Sequence, residues 1–244
     1  MKIKPSDSQY SRQKQIAAAD ELRDKGQLDA AVLAYQAIIS VAPNFALAHY
    51  KLGTAYQRSN RFHEAAESFK LAIKLRPGYP EANNNLGIIL SKQGNDADAE
   101  VCYRNAVAEN TDYFEAHLNL GNMFRLGSRR AEALYWYRRA IVLNPTSAKA
   151  KERLGALYVD LGLHTEAMVQ LREALVLDPQ LAAAWINLGR CHNAFQQLDD
   201  AQNCARTAIP LDPNQMAPWH NLLFASNWRA GEKTEVFEIG RAHV

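Results

Sequence analysis

The chain is poor in the residues and patterns that announce most kinds of chemistry. It has three cysteines, Cys102, Cys191 and Cys204, an odd number with no CxxC or CxxH spacing. That excludes a disulfide framework and a structural zinc site, and it fits a reduced, cytoplasmic protein. An excess of one charge is missing too. Lys and Arg total 28 against 26 Asp and Glu, so a net charge of +2 gives no global pull toward nucleic acid or an anionic membrane. No stretch approaches the roughly 20 apolar residues that span a bilayer. Met1–Asp7 holds no apolar core of signal-peptide length. There is no glycine-rich phosphate loop, nucleophile elbow or dinucleotide fingerprint. His63-Glu64-Ala65-Ala66-Glu67 begins like a zinc-protease helix but lacks the second histidine. No active site, metal or cofactor is legible in the chain.

What is present is a period. Asn85-Leu86-Gly87 returns as Asn119-Leu120-Gly121 and Asn187-Leu188-Gly189, with Lys51-Leu52-Gly53 before them and Arg153-Leu154-Gly155 between, each copy on a 34-residue spacing. Numbering each repeat from 1 to 34 gives 12–45, 46–79, 80–113, 114–147, 148–181, 182–215 and a partial 216–244. Position 20 is then alanine in all six full repeats, from Ala31 to Ala201. Position 8 is Ala19 and then five glycines. Position 27 is Ile38 and then five alanines. Position 24 is large in five repeats (Tyr35, Phe69, Tyr103, Tyr137 and Leu171), and position 32 is proline in all but one.

These choices share a cause. Positions 4, 7, 8 and 11 fall at helical spacing, as do 20, 24 and 27, so each repeat holds two amphipathic helices. Small residues at 8 and 20 let the two axes approach, and large ones at 24 and 11 fill the space beside them. A glycine inside a helix costs roughly 1 kcal/mol against alanine, so its recurrence needs a packing reason. Gly26, Gly94 and Gly162 supply positive φ between the helices, and the proline near position 32 ends the second helix.

This pattern resembles the tetratricopeptide repeat family: Leu and Gly at 7 and 8, Tyr56, Phe124 and Tyr158 at 11, Ala at 20 and 27, and Pro at 32, with Trp185 and Trp219 at 4. The resemblance covers residues 12–244. It implies an all-α fold, a right-handed superhelix of antiparallel helix pairs, whose first helices line a concave groove for an extended peptide or a partner's helix. Residues 1–11 read as a polar arm, and the polar first helix of repeat one as a cap. Repeat six is weaker. Ala205 stands where a large residue belongs, and Pro210 in the last turn predicts a kinked or loosened helix. The apolar end of the partial seventh repeat reads as a fragment of something longer.

With packing positions assigned, the groove is expected along positions 2, 5, 6, 9, 12 and 13. Position 6 reads Ala17, Lys51, Asn85, Asn119, Arg153, Asn187 and Asn221. Asparagine is a poor helix-interior residue because its amide competes for backbone hydrogen bonds, so its recurrence calls for an explanation. One explanation is a ladder of amides that binds the backbone of an extended peptide without reading its sequence. The other is that each Asn bonds to the helix of the neighbouring repeat. Asn84, Asn122 and Arg190 join the groove set, and Tyr50, Ile88, Leu118, Ile186 and Phe224 are expected to form side-chain pockets. Lys149 and Arg153 lie one turn apart. Some tetratricopeptide domains clamp a terminal carboxylate with such a pair. Asn119, Lys149 and Arg153 match three of its places, but Asn84 and Ile88 stand where a Lys and an Asn belong.

The expected partner is therefore a protein or peptide, with no nucleic acid and no membrane, and the oligomeric state is not legible. A second resemblance concerns the run Asn221-Leu222-Leu223-Phe224-Ala225-Ser226-Asn227-Trp228 together with the repeated Asn-Leu-Gly. It is similar to the repeat region of O-linked N-acetylglucosamine transferases and their SPINDLY-like relatives. That implies a substrate-recruiting arm whose catalytic domain lies elsewhere.

Overall fold

Each repeat folds into two helices because its small and large residues interlock across the pair. The computed structural model describes residues 7–220 and Leu222. Twelve complete helices and no strands are present among them, and residues 216–220 begin a further helix. The first six are α1 (Asp7–Asp24), α2 (Leu28–Val41), α3 (Ala46–Arg58), α4 (Phe62–Leu75), α5 (Pro80–Lys92) and α6 (Asp96–Glu109). There follow α7 (Phe114–Leu126), α8 (Arg130–Leu143), α9 (Ala148–Asp160), α10 (His164–Leu177), α11 (Ala182–Ala194) and α12 (Leu198–Leu211). Odd-numbered helices are the first of each repeat and even-numbered helices the second. Helix α1 begins inside the stretch read from sequence as a polar arm. The chain divides into two compact units, residues 1–123 and 124–244.

In the first unit the glycine at position 8 meets the ring at position 24. A Cβ placed on Gly53 would lie 2.7 Å from Cε1 of Phe69, and one on Gly87 would lie 2.7 Å from Cε1 of Tyr103. Both rings are buried and have nowhere to retreat, so the close approach of the helices requires glycine. In the second unit Gly155 meets the branch carbon of Leu171 at the same 2.7 Å. The position-20 alanines are completely buried in every repeat, which confirms their use at the helix contact. Within each unit successive helix pairs pack together, α2 on α3 and α4 on α5 in the first and α8 on α9 and α10 on α11 in the second.

The turn inside each repeat is built the same way six times. Position 15 has positive φ throughout: Gly26, Gly94 and Gly162 at 78°, 79° and 74°, and Asn60, Ser128 and Gln196 at 59°, 58° and 58°. The next amide returns to the carbonyl five residues back, as in Arg61 N–H to Tyr56 and Leu163 N–H to Tyr158, both 2.9 Å. The sequence announces only the three glycines. Turn geometry forces the other three residues into a region costly for L-amino acids.

Position 4 ties consecutive repeats together. Nε2 of His49 donates to the carbonyl of Pro43 at 2.8 Å, and Nε1 of Trp185 to that of Pro179 at 2.9 Å. His117 Nδ1 reaches the Tyr113 carbonyl at 3.0 Å. Structural work thus accounts for these histidines. Helix α12 runs through Pro210 to Leu211, and the Asp212 amide still reaches the Ala208 carbonyl at 3.1 Å.

Candidate functional site

In the first unit, positions 5 and 6 of consecutive first helices meet across the repeat boundary. The Asn119 amide donates to Oδ1 of Asn84 at 2.9 Å, and the Asn85 amide points at the Tyr50 hydroxyl at 3.5 Å. Asn84 is the hub. It is only 3% exposed, donates to Asn85 at 3.4 Å, and bonds to the Tyr113 hydroxyl. Tyr50 stacks near Tyr79, ring centroids 4.9 Å apart. Burial is the main reason the Tyr50 hydroxyl is pushed to higher pKa, with the Glu81 carboxylate adding to it. The result is a surface of amides and phenols with the Glu81 and Glu115 carboxylates beside it. Lys51 does not stand free here, since its ammonium pairs with Asp20 at 2.9 Å.

In the second unit the same positions carry charge. The Asn187 amide donates to Oε1 of Glu152 at 3.1 Å. Glu152 is 2% exposed, and desolvation raises its pKa, while Arg153, Arg125, Asn187 and Lys149 pull it back. Arg153 faces Glu152 at a long 3.4 Å, and its buried Nε makes no hydrogen bond. Asp160 holds Arg125 at 2.7 Å and Arg190 at 3.6 Å, and Arg190 also donates to Asn187 at 3.1 Å. Four cations (Arg125, Lys149, Arg153 and Arg190) therefore surround two carboxylates.

Position 5, and Asn187 at position 6, are more closed than the groove expectation requires. Asn187 is only 9% exposed, and Leu118 and Ile186, expected to line pockets, are 4% and 9% exposed. Packing between successive first helices covers them. Tyr50 and Ile88 stay half-buried, and so does Asn122, which has a partner of its own. Of the carboxylate-clamp residues, Asn119 belongs to the first unit, and Lys149 and Arg153 to the second. Asn221 and Phe224 lie outside the described residues. Sequence reading overlooked Asp20, Arg125 and Asp160 as partners. The signal was present: Asn84 and Asn119, Arg125 and Asp160, and Glu152 and Asn187 are all 35 residues apart, one period plus one.

No group of three or more metal-ligating side chains occurs among the described residues. The three cysteines are buried and unpaired, and burial pushes each thiol up to about 11, which leaves them inert. No helix among the described residues is long and apolar enough to cross a membrane.

Family profiles described as TPR repeat or Tetratricopeptide repeat match residues 19–60, 50–103, 84–148 and 160–223. The chain belongs to the tetratricopeptide repeat family. No curated protein matches it in sequence. Among solved tetratricopeptide structures, MamA is 28% identical, with a TM-score of 0.61 over 67% of this chain and 96% of MamA. PilF of Pseudomonas aeruginosa is 18% identical and has a TM-score of 0.77, covering 91% of this chain and 98% of its own. YrrB, described as a TPR protein with an unusual peptide-binding site, is 20% identical with a TM-score of 0.62, covering 77% and 96%. The tetratricopeptide pattern of small positions 8 and 20 against a large position 24 is therefore both the sequence signature and the packing rule of this molecule.

Proposed function

We propose that the chain is a non-catalytic scaffold whose first helices hold a protein segment, an extended peptide or a helix. The observation that carries this reading is the row of amides, phenols and guanidiniums at positions 5, 6 and 9. Their hydrogen-bonding capacity exceeds what their neighbours use. An amide offers two donors and an acceptor with two lone pairs, and Asn85 and Asn119 each spend one donor across the repeat boundary. Oδ1 of Asn85 also accepts from Asn84, and the remaining donor of each amide is available to a peptide backbone. The peptide-binding site in the fold relative YrrB supports the same reading. In the second unit the two surplus cations favour a segment with an acidic residue, bound by Arg153 and Arg190.

The test is a pull-down with wild type and with an Asn85, Asn119, Asn187, Asn221→Ala variant of unchanged helicity. Recovery by the wild type and clear loss by the variant are expected. Equal recovery from both would remove the amide ladder, and recovery of no partner by the wild type would remove the scaffold reading. The run Asn221–Trp228 favours a second reading, in which the chain is the substrate-recruiting arm of a glycosyltransferase. Reading the coding frame past Val244 decides it, since an early stop codon excludes that arrangement.

A further inference from the structure

The second helices of repeats four and five carry a motif that packing does not use. Tyr135, Arg138 and Val142 on α8, and Val169, Arg172 and Val176 on α10, occupy positions 22, 25 and 29 and so share one helix face. Tyr135 is 56% exposed, Val142 67%, Val169 51% and Val176 82%. One exposed valine needs no explanation, but the same apolar, arginine, valine triplet on two successive repeats does. Repeat three keeps Val101 and Arg104 but ends on Ala108; repeats two and six have Glu67 and Asn203 at the first place.

Charge makes the face selective. Position 25 is basic in five consecutive repeats: Lys70, Arg104, Arg138, Arg172 and Arg206. In the first unit these charges are answered, Lys70 by Glu67 and Arg104 by Glu100, both at 2.8 Å. In the second unit neither Arg138 nor Arg172 has a carboxylate partner among the described residues. Arg138 donates to the neutral Tyr158 hydroxyl at 3.2 Å, while Glu132 on α8 pairs with Arg129 and Glu173 on α10 with Lys151. Along α8 a shallow concavity of about 260 Å³ is lined by Ala131, Leu134, Tyr135, Arg138, Arg139 and Val142.

We propose that this face of the second unit docks an acidic amphipathic helix of a protein partner. Its carboxylates pair with Arg138, Arg139 and Arg172, and its aliphatic side chains cover Tyr135, Val142, Val169 and Val176. Charge complementarity selects this occupant. A second copy of the chain would set arginine against arginine. A phosphate backbone would satisfy the arginines and leave the valines uncovered. A bilayer needs apolar groups that stand beyond the charges, whereas valine is shorter than arginine. The surface belongs to the second helices, so it stands apart from the binding proposed for the first.

The probe is a fluorescein-labelled helical peptide with glutamates spaced i, i+4 beside a leucine stripe, followed by fluorescence anisotropy with the full chain. The wild type is expected to bind, and the Arg138→Glu, Arg172→Glu variant to lose about tenfold in affinity. Lys74→Glu, Lys92→Glu in the first unit makes the same change in net charge and should stay within about twofold, as non-specific screening would not. Tyr135→Ser, Val169→Ser should also weaken binding. If circular dichroism shows the glutamate variant unfolded, Arg138→Gln, Arg172→Gln decides. Absence of wild-type binding, or equal loss in the control variant, overturns the proposal. So does preferential capture of a single-stranded oligonucleotide or phosphatidylserine vesicles through the same arginines.

Discussion

The two units use one packing rule and present opposite chemistries with it. In the first, the boundaries from repeat two to repeat four are closed by neutral groups, Asn119 on Asn84 and Asn85 on Tyr50, while the first boundary carries an ion pair, Lys51 on Asp20. In the second, the corresponding bond is Asn187 on a buried Glu152, with arginines gathered around it. The position-25 cations differ in the same sense: Lys70 and Arg104 are ion-paired in the first unit, while Arg138 and Arg172 have no carboxylate partner among the described residues of the second. A repeat array can vary its surface in this way because position 5 touches only its neighbour. A buried carboxylate can replace a buried amide wherever arginines stand nearby to offset its desolvation.

The largest effect expected concerns the core. Phe69→Ala removes a fully buried ring from the first unit and should cost about 4 kcal/mol. All four tryptophans lie in residues 124–244, so fluorescence reports the second unit and amide exchange in α3–α6 the first. Faster exchange there with an unchanged fluorescence midpoint is expected. A joint shift of both signals would end the separation of the units.

Next comes the buried carboxylate. Glu152→Ala leaves Asn187 and Arg153 without their partner and should cost the second unit about 3 kcal/mol at neutral pH. Glu152→Gln keeps the acceptor and removes the charge, and its effect depends on pH. Burial raises the folded pKa of Glu152 above the unfolded value of about 4.3. The stability this contributes is complete below the unfolded pKa and is lost as pH rises through the folded one. Relative to wild type, the Gln variant should therefore gain stability as pH rises from about 4 to 8. A flat difference in urea midpoints over that range would contradict the assignment. In the first unit, Asn84→Ala should cost about 1 kcal/mol by stranding the Asn119 amide, with no such pH dependence.

The smallest effect lies in the turns, where the second unit holds two strained side chains and the first holds one. Gln196→Gly and Ser128→Gly should each raise stability by about 1 kcal/mol, and Asn60→Gly by less because asparagine tolerates positive φ. Equal gains at all three positions in chemical denaturation would argue against unequal strain.

The sequence by itself determined the period, the two helices of each repeat and the residues that join them. Those contacts lie 12 to 19 positions apart inside one repeat, and selection for volume at Gly87, Ala99 and Tyr103 leaves a mark each time the repeat returns. Gly26, Gly94 and Gly162 are legible for the same reason, since one residue type serves one backbone conformation. Tertiary structure decided the rest. The partners of Asn119, Asn187 and Arg125 lie in neighbouring repeats at residue types that change from copy to copy, so no recurring letter marks them. How deeply Leu118, Glu152 and Asn187 are buried depends on how closely successive first helices pack, and the periodicity of a single helix does not contain that distance.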